Sequence, residues 1–391
     1  MPILLLISGL RSNSRLFFTG LVGAILASCS SRPAYEEKSP TVPSASTDSV
    51  TIQYAQGFTV DYRRSAPTLL LHGSSDTASY VLLPRGASPP PDLSATTPVI
   101  RTPVQRVVVT STTHLGLVEL LDARDCLVGV GQADMIYDEA IRRRVQRGEI
   151  QEVGTDGALN VEWVLSLQPD LVMVSSTPGV GTSQYQPLID AGIPVIVNAE
   201  WQEASPLGKA EWVKLMAVLL QREADANQRF AAVVTAYDSV AQRVQSVRDQ
   251  PRVLTGSPFQ GSWYVPGRNS YVGQLLRDAQ ATWPWAQDTT AVSFNVALET
   301  VYPHGLEADY WINAGLAQQL SALDQADERL RSFRPYQQKQ VYNHYRRTTA
   351  AGGNDYYEGG TVRPDRVLAD LIEIFHPEVL DHTLYYYQRL D

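Results

Sequence analysis

Aromatic and uncharged polar side chains are concentrated in the loops that follow predicted strands. Aromatic rings offer flat apolar surfaces, and amide groups can hydrogen-bond a ligand without the cost of burying a charge. This combination suits a large, flat, partly apolar ligand with polar edges, held in a cleft. Arg268 is the one cationic side chain assigned to these loops, and Trp212 and Trp311 are predicted to be core residues. The loop residues are Trp201, Trp263, Tyr264, Trp283, Trp285, Asn343, His344, Asn354, Tyr356 and Tyr357.

A second polar group, Ser111, Thr112 and His114, lies where the first predicted strand of the α/β region meets a helix. Free backbone N–H groups at a helix start attract anionic or carbonyl groups, so this turn is predicted to form a second wall of the cleft. The chain has 6 histidines and none are paired at ligand spacing, so a site for bare zinc or manganese lacks its ligands. Axial coordination of a bound metal complex by His114 or His344 stays open.

Enzyme motifs are scarce in this sequence. It has no glycine-rich phosphate loop with Lys and Ser/Thr, and no His-Glu-x-x-His. Gly179-Val180-Gly181 lacks the third glycine of a dinucleotide turn, and residues 179–183 are predicted to form a cleft loop. Asp355 and Glu358 lie close together in sequence, and a glycosidase or esterase could use such a pair. A hydrolase is therefore the alternative to a binding protein, although no catalytic residue, cofactor or resident metal is assigned.

The elements that must position these residues form two α/β lobes. Short β-branched runs alternate with helical stretches over residues 104–222, and the same plan returns over 251–391. Such alternation favours parallel sheets, with ligands bound beyond the carboxyl ends of the strands. Between the lobes, residues 223–250 keep one apolar stripe at helical spacing and predict a single long connecting helix.

The N-terminal segment is predicted to direct the chain out of the cytoplasm. Arg11 and Arg15 precede an apolar run, 16–27, that is too short to span a bilayer and is typical of a signal peptide. The run ends in Leu26-Ala27-Ser28-Cys29, which looks like a bacterial lipoprotein processing site. Residues 1–28 are therefore assigned as the signal and Cys29 as the lipidated residue that holds the protein on a membrane surface. An ordinary cleavable signal with an incidental cysteine is the alternative.

Residues 29–49 are rich in Ser, Pro, Thr and charge, and predict a disordered tether. Residues 50–103 follow with alternating apolar positions and predict a small β extension that begins with a hairpin from Val50 to Tyr62. Loss of the signal removes two arginines and no acids, so the formal charge moves from -9 to -11. This balance argues against nucleic acid as a partner. Cys126 lies in a predicted buried strand and is expected to be an inert thiol.

The order of these motifs resembles the periplasmic substrate-binding proteins, often lipoproteins, of ABC importers for iron complexes and vitamin B12. In that family one long helix joins two α/β lobes, the class III arrangement. The likeness covers about residues 104–391. It is carried by Val107 to Leu121, Gly154, Asn160-Val161-Glu162, Gln168 to Val172, Gly192 to Val195, Pro206-Leu207, Ala210-Glu211-Trp212, Trp263 to Tyr271, Ala308 to Asn313, and Pro364-Asp365 to His376-Pro377.

The resemblance implies a monomeric binding protein that captures a corrinoid, a ferric siderophore or haem between its lobes and delivers it to the permease subunits of an importer. It implies small lobe closure about a stiff helix. It also implies that one glutamate at the tip of each lobe contacts the transporter, and Glu162 and Glu299 match those positions. The expected ligand-binding residues are Ser111, Thr112, His114, Trp201, Trp263, Tyr264, Arg268, Trp285, Asn343 and Tyr357.

Overall fold

The computed structural model describes residues 49–73, 77–91, 93–94, 96–176 and 182–391. The predicted signal peptide, Cys29 and all but the last residue of the tether lie outside these residues, as does most of the predicted cleft loop 179–183. Among the described helices, none is long and apolar enough to cross a membrane.

The N-terminal extension contains a four-stranded sheet in the order β1-β2-β3-β4. Its first three strands are antiparallel, and β4 runs parallel to β3. The predicted hairpin is wrong, because residues 50–54 form an extended segment whose N–H groups bond to side chains instead of to β1. The strands are β1 (Phe58–Asp61), β2 (Thr68–His72), β3 (Thr77–Pro84) and β4 (Val99–Thr102).

Two buried glutamates fasten that extended segment to the first lobe. One carboxylate oxygen of Glu211 accepts the backbone N–H groups of Gln53, Tyr54 and Ala55 at 2.7–3.0 Å. Glu203 accepts the N–H groups of the next two residues, 56 and 57, at 2.9 Å. The extension is thus bonded to the lobe through two buried side chains, and water would not readily replace those hydrogen bonds.

The first lobe is built on a five-stranded parallel sheet in the order β7-β6-β5-β8-β9. Its central strands are almost entirely Val, Leu and Met, as expected when both faces of a sheet are covered. The strands are β5 (Val107–Val109), β6 (Leu127–Val130), β7 (Gln151–Glu152), β8 (Leu171–Ser175) and β9 (Val195–Asn198). The helices are α1 (Thr112–Leu120), α2 (Glu139–Gln146), α3 (Val161–Leu167), α4 (Gln186–Asp190), α5 (Pro206–Glu211) and α6 (Val213–Leu220).

A 22-residue helix, α7 (Glu223–Val244), leads from the first lobe to the second. It ends at Val244, earlier than the predicted boundary at residue 250. Its buried stripe includes Phe230, Val233 and Tyr237. Phe230 belongs to the core of the first lobe, whereas Val233 and Tyr237 belong to a core of the second, so one helix face serves both.

The second lobe has a sheet in the order β10-β14-β15-β16, parallel except for the edge strand β16, and a small antiparallel sheet β11-β12-β13. The prediction of two α/β lobes joined by a long helix is confirmed. The strands are β10 (Val253–Thr255), β11 (Pro258–Phe259), β12 (Ser262–Pro266), β13 (Ser293–Val296), β14 (Tyr310–Ile312), β15 (Val341–Asn343) and β16 (Gln388–Arg389). The helices are α8 (Tyr271–Asp278), α9 (Leu298–Glu307), α10 (Leu320–Ala326), α11 (Arg334–Gln337) and α12 (Pro364–Phe375).

Residues 344–363, which we call the bridging segment, connect β15 to α12 and contact the first lobe. Its Glu358 accepts the backbone N–H groups of Tyr137 and Asp138 at 2.8 and 2.9 Å. A Cβ atom at Gly116 of α1 would lie 2.2 Å from the carbonyl oxygen of Glu358, so only glycine allows this approach. The bridging segment therefore closes one side of the space between the lobes.

Candidate functional site

A cavity of about 390 Å³ lies at the carboxyl ends of β14 and β15, where parallel sheets usually bind ligands. Its volume falls within the usual range for small-molecule sites. The wall combines aromatic rings, amides and one amine, and its rim carries Leu316, which is 86% exposed. The lining residues are Lys209, Tyr271, Val272, Asn313, Gly315, Leu316, His344, Tyr356, Tyr357 and Thr361.

His344 and Tyr357 form the polar centre of this cavity. The Nε2 atom of His344 lies 2.8 Å from the hydroxyl of Tyr357, and its Nδ1 has no hydrogen-bond partner. The imidazole packs on Tyr356, with ring centres 4.1 Å apart. Burial lowers the pKa of His344 to about 3, so its ring is neutral at physiological pH. A neutral imidazole can accept a hydrogen bond, donate one or bind a metal.

The loop after β14 owes its shape to Asn343. The amide of this fully buried side chain donates to the carbonyl oxygens of Gly315 and Ala317 at 3.0 and 2.8 Å. Asn313 adopts a left-handed conformation, φ 54°, and its side-chain oxygen accepts the hydroxyl of Tyr387 at 2.8 Å. Asn343 was predicted to contact ligand, but its amide is used to hold the loop that does line the cavity.

On the first lobe, the helix start predicted as a second wall is present. Ser111 caps α1 by accepting the N–H of Thr113 at 3.3 Å, and Ser111 and Thr112 are half-buried. His114 is completely buried, and burial lowers its pKa to about 3. Neither ring nitrogen of His114 has a hydrogen-bond partner. His114 therefore presents no surface to a ligand in this structure, and its prediction as a contact residue is corrected.

Trp201 and its neighbours stand at the carboxyl ends of β8 and β9. The indole of Trp201 is 43% exposed and donates to the carbonyl oxygen of Ser176 at 2.8 Å. Next to it, Glu200 is buried, and one of its carboxylate oxygens has no partner. Burial raises the pKa of Glu200, while the charge of Lys209 and a hydrogen bond from Thr113 oppose that shift. Glu200 thus connects the start of α1 to the lysine of the cavity.

Four predicted contact residues of the second lobe, Trp263, Tyr264, Trp285 and Arg268, do not line the cavity. Trp263 is fully buried against Trp311 and donates its indole N–H to the carbonyl oxygen of Thr255, which makes it a core residue. Strand alternation then turns Tyr264 outward, where it is 53% exposed. Trp285 packs edge-on against His304 with ring centres 5.4 Å apart. Arg268 is exposed and uses its backbone N–H to bond Asp288.

Lys209, Tyr271, Asn313, Leu316 and Thr361 line the cavity but were not predicted. Lys209 lies in α5, four residues after the Ser205 cap. It is not one of the apolar residues whose spacing predicted the helix, so no role was predicted for it. Tyr271 opens α8 after the Ser270 cap. The local signal for both was a capped helix start, which does not reveal what lies opposite.

The carboxylates that motivated the hydrolase alternative are already engaged. Asp355 accepts Arg347 at 2.6 Å and the backbone N–H of Gly359 at 3.2 Å. Glu358 lies near Glu119 and Asp138, with one carboxylate oxygen of each within 4.8 Å of the others. Asp138, however, caps α2 and forms an ion pair with Arg124. These contacts hold the bridging segment and α2 in place, and no pair of free carboxylates faces the cavity among its described lining residues.

The two glutamates expected to contact a transporter occupy matching positions in the two lobes. Glu162 lies in the first turn of α3, is exposed, and stands beside Trp163, which is 49% exposed. Glu299 lies in the first turn of α9 and forms an ion pair with Arg329 at 3.3 Å. Its own helix-start N–H and Arg329 lower the pKa of Glu299, so it is ionised at neutral pH.

Comparison with known proteins decides the family. The family model of the periplasmic binding protein matches residues 107–343, more than half of the chain. The chain belongs to the periplasmic binding protein family. An uncharacterised lipoprotein of Methanocaldococcus jannaschii is 25% identical over 290 residues, covering 72% of this chain and 67% of that protein.

Solved structures of periplasmic binding proteins share the fold. A possible iron-binding (periplasmic solute-binding) protein from Staphylococcus epidermidis matches with a TM-score of 0.55 and 16% identity, covering 70% of this chain and 100% of that one. A periplasmic haem-binding protein from Pseudomonas aeruginosa matches with a TM-score of 0.54 and 19% identity, covering 74% and 98%. The extension that precedes residue 107 and the bridging segment both lie outside the family match.

Proposed function

We propose that this periplasmic binding protein is an extracytoplasmic lipoprotein that captures a metal chelate and delivers it to an ABC importer. The observation that carries the proposal is the cavity at the carboxyl ends of β14 and β15. Its tyrosine rings suit a flat, partly apolar ligand, and its asparagine, histidine and hydroxyl groups suit the polar edge of such a ligand. Haem, a corrinoid and a ferric siderophore are the candidate cargoes. The descriptions of two structural relatives as iron-binding and haem-binding support this class.

Tyr357 and His344 are proposed as the main contacts, together with the helix start at Ser111 and Thr112 on the opposite lobe. Tyr357 is 45% exposed at the cavity and hydrogen-bonded to His344. Trp201 is proposed to contact the outer edge of the ligand. Tyr264 and Arg268 belong to the small sheet β11-β12-β13 and the loop after β12, and Trp285 packs against His304, so these three are left out of the proposed contact set.

Membrane attachment and docking complete the proposal. Lipid on Cys29 would hold the protein at the membrane through the tether, and the naming of the archaeal relative as a lipoprotein supports this arrangement. Glu162 and Glu299 are proposed to contact cationic groups of the permease, one from each lobe. The exposure of Glu162 supports its share of this role, whereas Glu299 would first have to leave Arg329.

The test is a tryptophan-fluorescence titration of the full chain in detergent with haem, a corrinoid and a ferric trihydroxamate, with absorbance controls. We expect saturable quenching by one of them at micromolar or tighter affinity. Tyr357→Ala should weaken that binding about tenfold or more, since contact between a tyrosine ring and a ligand contributes on the order of 1 kcal/mol or more. Tyr264→Ala removes a tyrosine of similar exposure, 53% against 45%, outside the cavity and should leave affinity unchanged. If binding is lost in Tyr264→Ala but kept in Tyr357→Ala, the ligand binds outside this cavity and the proposed site is wrong.

A further inference from the structure

Lys209 is the only charged side chain among the described residues that line the cavity. Its ammonium lies 5.3 Å from the ring centre of Tyr271, over the face of the ring. The remaining lining is neutral, because tyrosine, asparagine and threonine carry no charge at physiological pH and burial keeps His344 neutral. The cavity therefore offers one positive charge in an otherwise uncharged wall.

Within the described part of the chain, the ammonium of Lys209 forms no ion pair and no hydrogen bond, although an ammonium can donate three. The contrast with Lys214 is direct, since Lys214 donates to Glu211 and to the carbonyl oxygen of Thr51, both at 2.7 Å. Burial lowers the pKa of Lys209 because its charge is poorly solvated, and the nearby charge of Glu200 opposes that shift. Lys209 is half-buried by its exposed surface, so its ammonium is open to an oxygen of a ligand or of water.

Glu200, on the same lobe as Lys209, is its incomplete partner. Glu200 is 1% exposed, and its Oε2 atom is buried without a hydrogen bond. The two side chains attract each other, yet they do not form a direct ion pair. Glu200 therefore stabilises the positive charge of Lys209 but accepts none of the hydrogen bonds that the ammonium can donate. Lys209 lines the cavity in which a ligand would lie.

We propose that Lys209 binds an anionic oxygen of the ligand, so that the cargo is a chelate bearing a carboxylate or a similar oxyanion. This inference rests on the proposed function of the cavity and names the chemical class of its ligand. Glu200 attracts the lysine without bonding to it directly, and the ligand oxyanion supplies the acceptors for the ammonium. A charge-assisted hydrogen bond in a poorly solvated site is among the stronger single contacts available to a ligand.

The test compares matched ligands that differ only in their carboxylate charge, by two charges for haem and by one for the other pairs. The pairs are haem and haem dimethyl ester, a corrinoid monocarboxylic acid and the parent corrinoid, and the succinylated and acetylated forms of one ferric trihydroxamate. Each is titrated against the full chain in detergent. We expect the anionic member of at least one pair to bind about tenfold or more tightly than its neutral partner, a ratio that corresponds to about 1.4 kcal/mol.

Substitutions assign that preference to Lys209. Lys209→Met should reduce the ratio to about one while leaving the affinity for the neutral member nearly unchanged. Glu200→Gln should increase the ratio, because it removes the competing charge. Lys339→Met, at an exposed lysine outside the cavity, should leave the ratio unchanged. Because the ratio is measured within one variant, partial loss of folded protein does not change it.

The outcomes separate the two proposals. Binding of either member without preference for the anionic one, or a preference that survives in Lys209→Met, would overturn the inference and leave the proposed function standing. Failure of all six ligands to bind wild-type protein would contradict the proposed function and the inference with it. A preference that disappears in Lys209→Met and grows in Glu200→Gln would support both.

Discussion

Glu358 accepts a 2.9 Å hydrogen bond from the backbone N–H of Asp138, a residue of the other lobe. The same carboxylate accepts the N–H of Tyr137 at 2.8 Å, so both of its oxygens are used. The bond joins the bridging segment to the start of α2. His344 and Tyr357 of the same bridging segment line the cavity. Contacts between the lobes and contacts with the proposed ligand therefore come from one stretch of chain.

The stability of this connection should depend on pH. Burial raises the pKa of Glu358 to about 8, Glu119 and Asp138 add to the rise, and the two N–H donors oppose it. The folded protein then keeps a proton on Glu358 between pH 4.5 and 8, whereas the unfolded chain has lost it. This contribution to stability is complete below about pH 4.5 and is lost as pH rises through about 8.

Glu358→Gln cannot titrate, so its stability should fall less than that of wild type over this window. We expect the Tm of the variant relative to wild type to rise by a few degrees between pH 5 and pH 8, measured by differential scanning calorimetry. Parallel pH profiles for the two proteins would contradict the assignment. The ion pair between Arg124 and Asp138 is present in both proteins, so its contribution to the difference in Tm should cancel.

Glu211 should be essential for attachment of the N-terminal extension. It is completely buried, accepts three backbone N–H groups and pairs with Lys214 at 2.7 Å. Glu211→Ala leaves a buried ammonium and those N–H groups without partners, so we expect the free energy of unfolding to fall by about 3–5 kcal/mol. Urea denaturation followed by circular dichroism measures it. Glu307→Ala removes an exposed ion pair with Arg252 and should cost at most about 1 kcal/mol.

The two parallel sheets could be predicted because their signal is local. Runs such as Leu171–Ser175 are apolar, short and separated by helices, and a sheet buried on both faces requires that pattern. The small sheet β11-β12-β13 was missed because β11 has two residues and begins with a proline. Trp263 was assigned to a cleft loop for the same reason. Because β12 was not recognised as a strand, the alternation that turns Trp263 inward could not be predicted.

The site was only partly predictable because its walls come from distant parts of the chain. Tyr357 and His344, which line the cavity, were singled out from their aromatic and polar surroundings in sequence. Lys209 approaches Asn313 and Thr361 only after both lobes have formed, and nothing near residue 209 indicates it. Asn343 was found for its position at a strand end, but the amide closes a loop instead of reaching the cavity. Position at a strand end predicts proximity to the site, and the direction of each side chain needs the fold.

Reversal of charge at Glu162 should separate docking from binding. Glu162 is exposed in the first turn of α3, far in sequence from every residue that lines the cavity. Glu162→Arg places like charges together if the permease presents cations there, so we expect transport in cells to fall at least about tenfold while ligand affinity stays within twofold. Asp190→Arg alters the same lobe by the same charge at another exposed position and should transport normally. Loss of ligand affinity in Glu162→Arg would place this residue in the binding site instead.

Ligand binding should cause little closure of the lobes. The continuous helix α7 joins them, and the bridging segment fixes them on a second side through Glu358 and the close approach at Gly116. Two connections of this kind restrict a hinge to small angles. Small-angle X-ray scattering should therefore give the same radius of gyration with and without ligand. Gly116→Val forces its side chain into the carbonyl of Glu358, and this variant should show a larger radius without ligand and a measurable decrease when ligand is added. A large ligand-induced decrease in wild type would show that neither connection restrains the lobes.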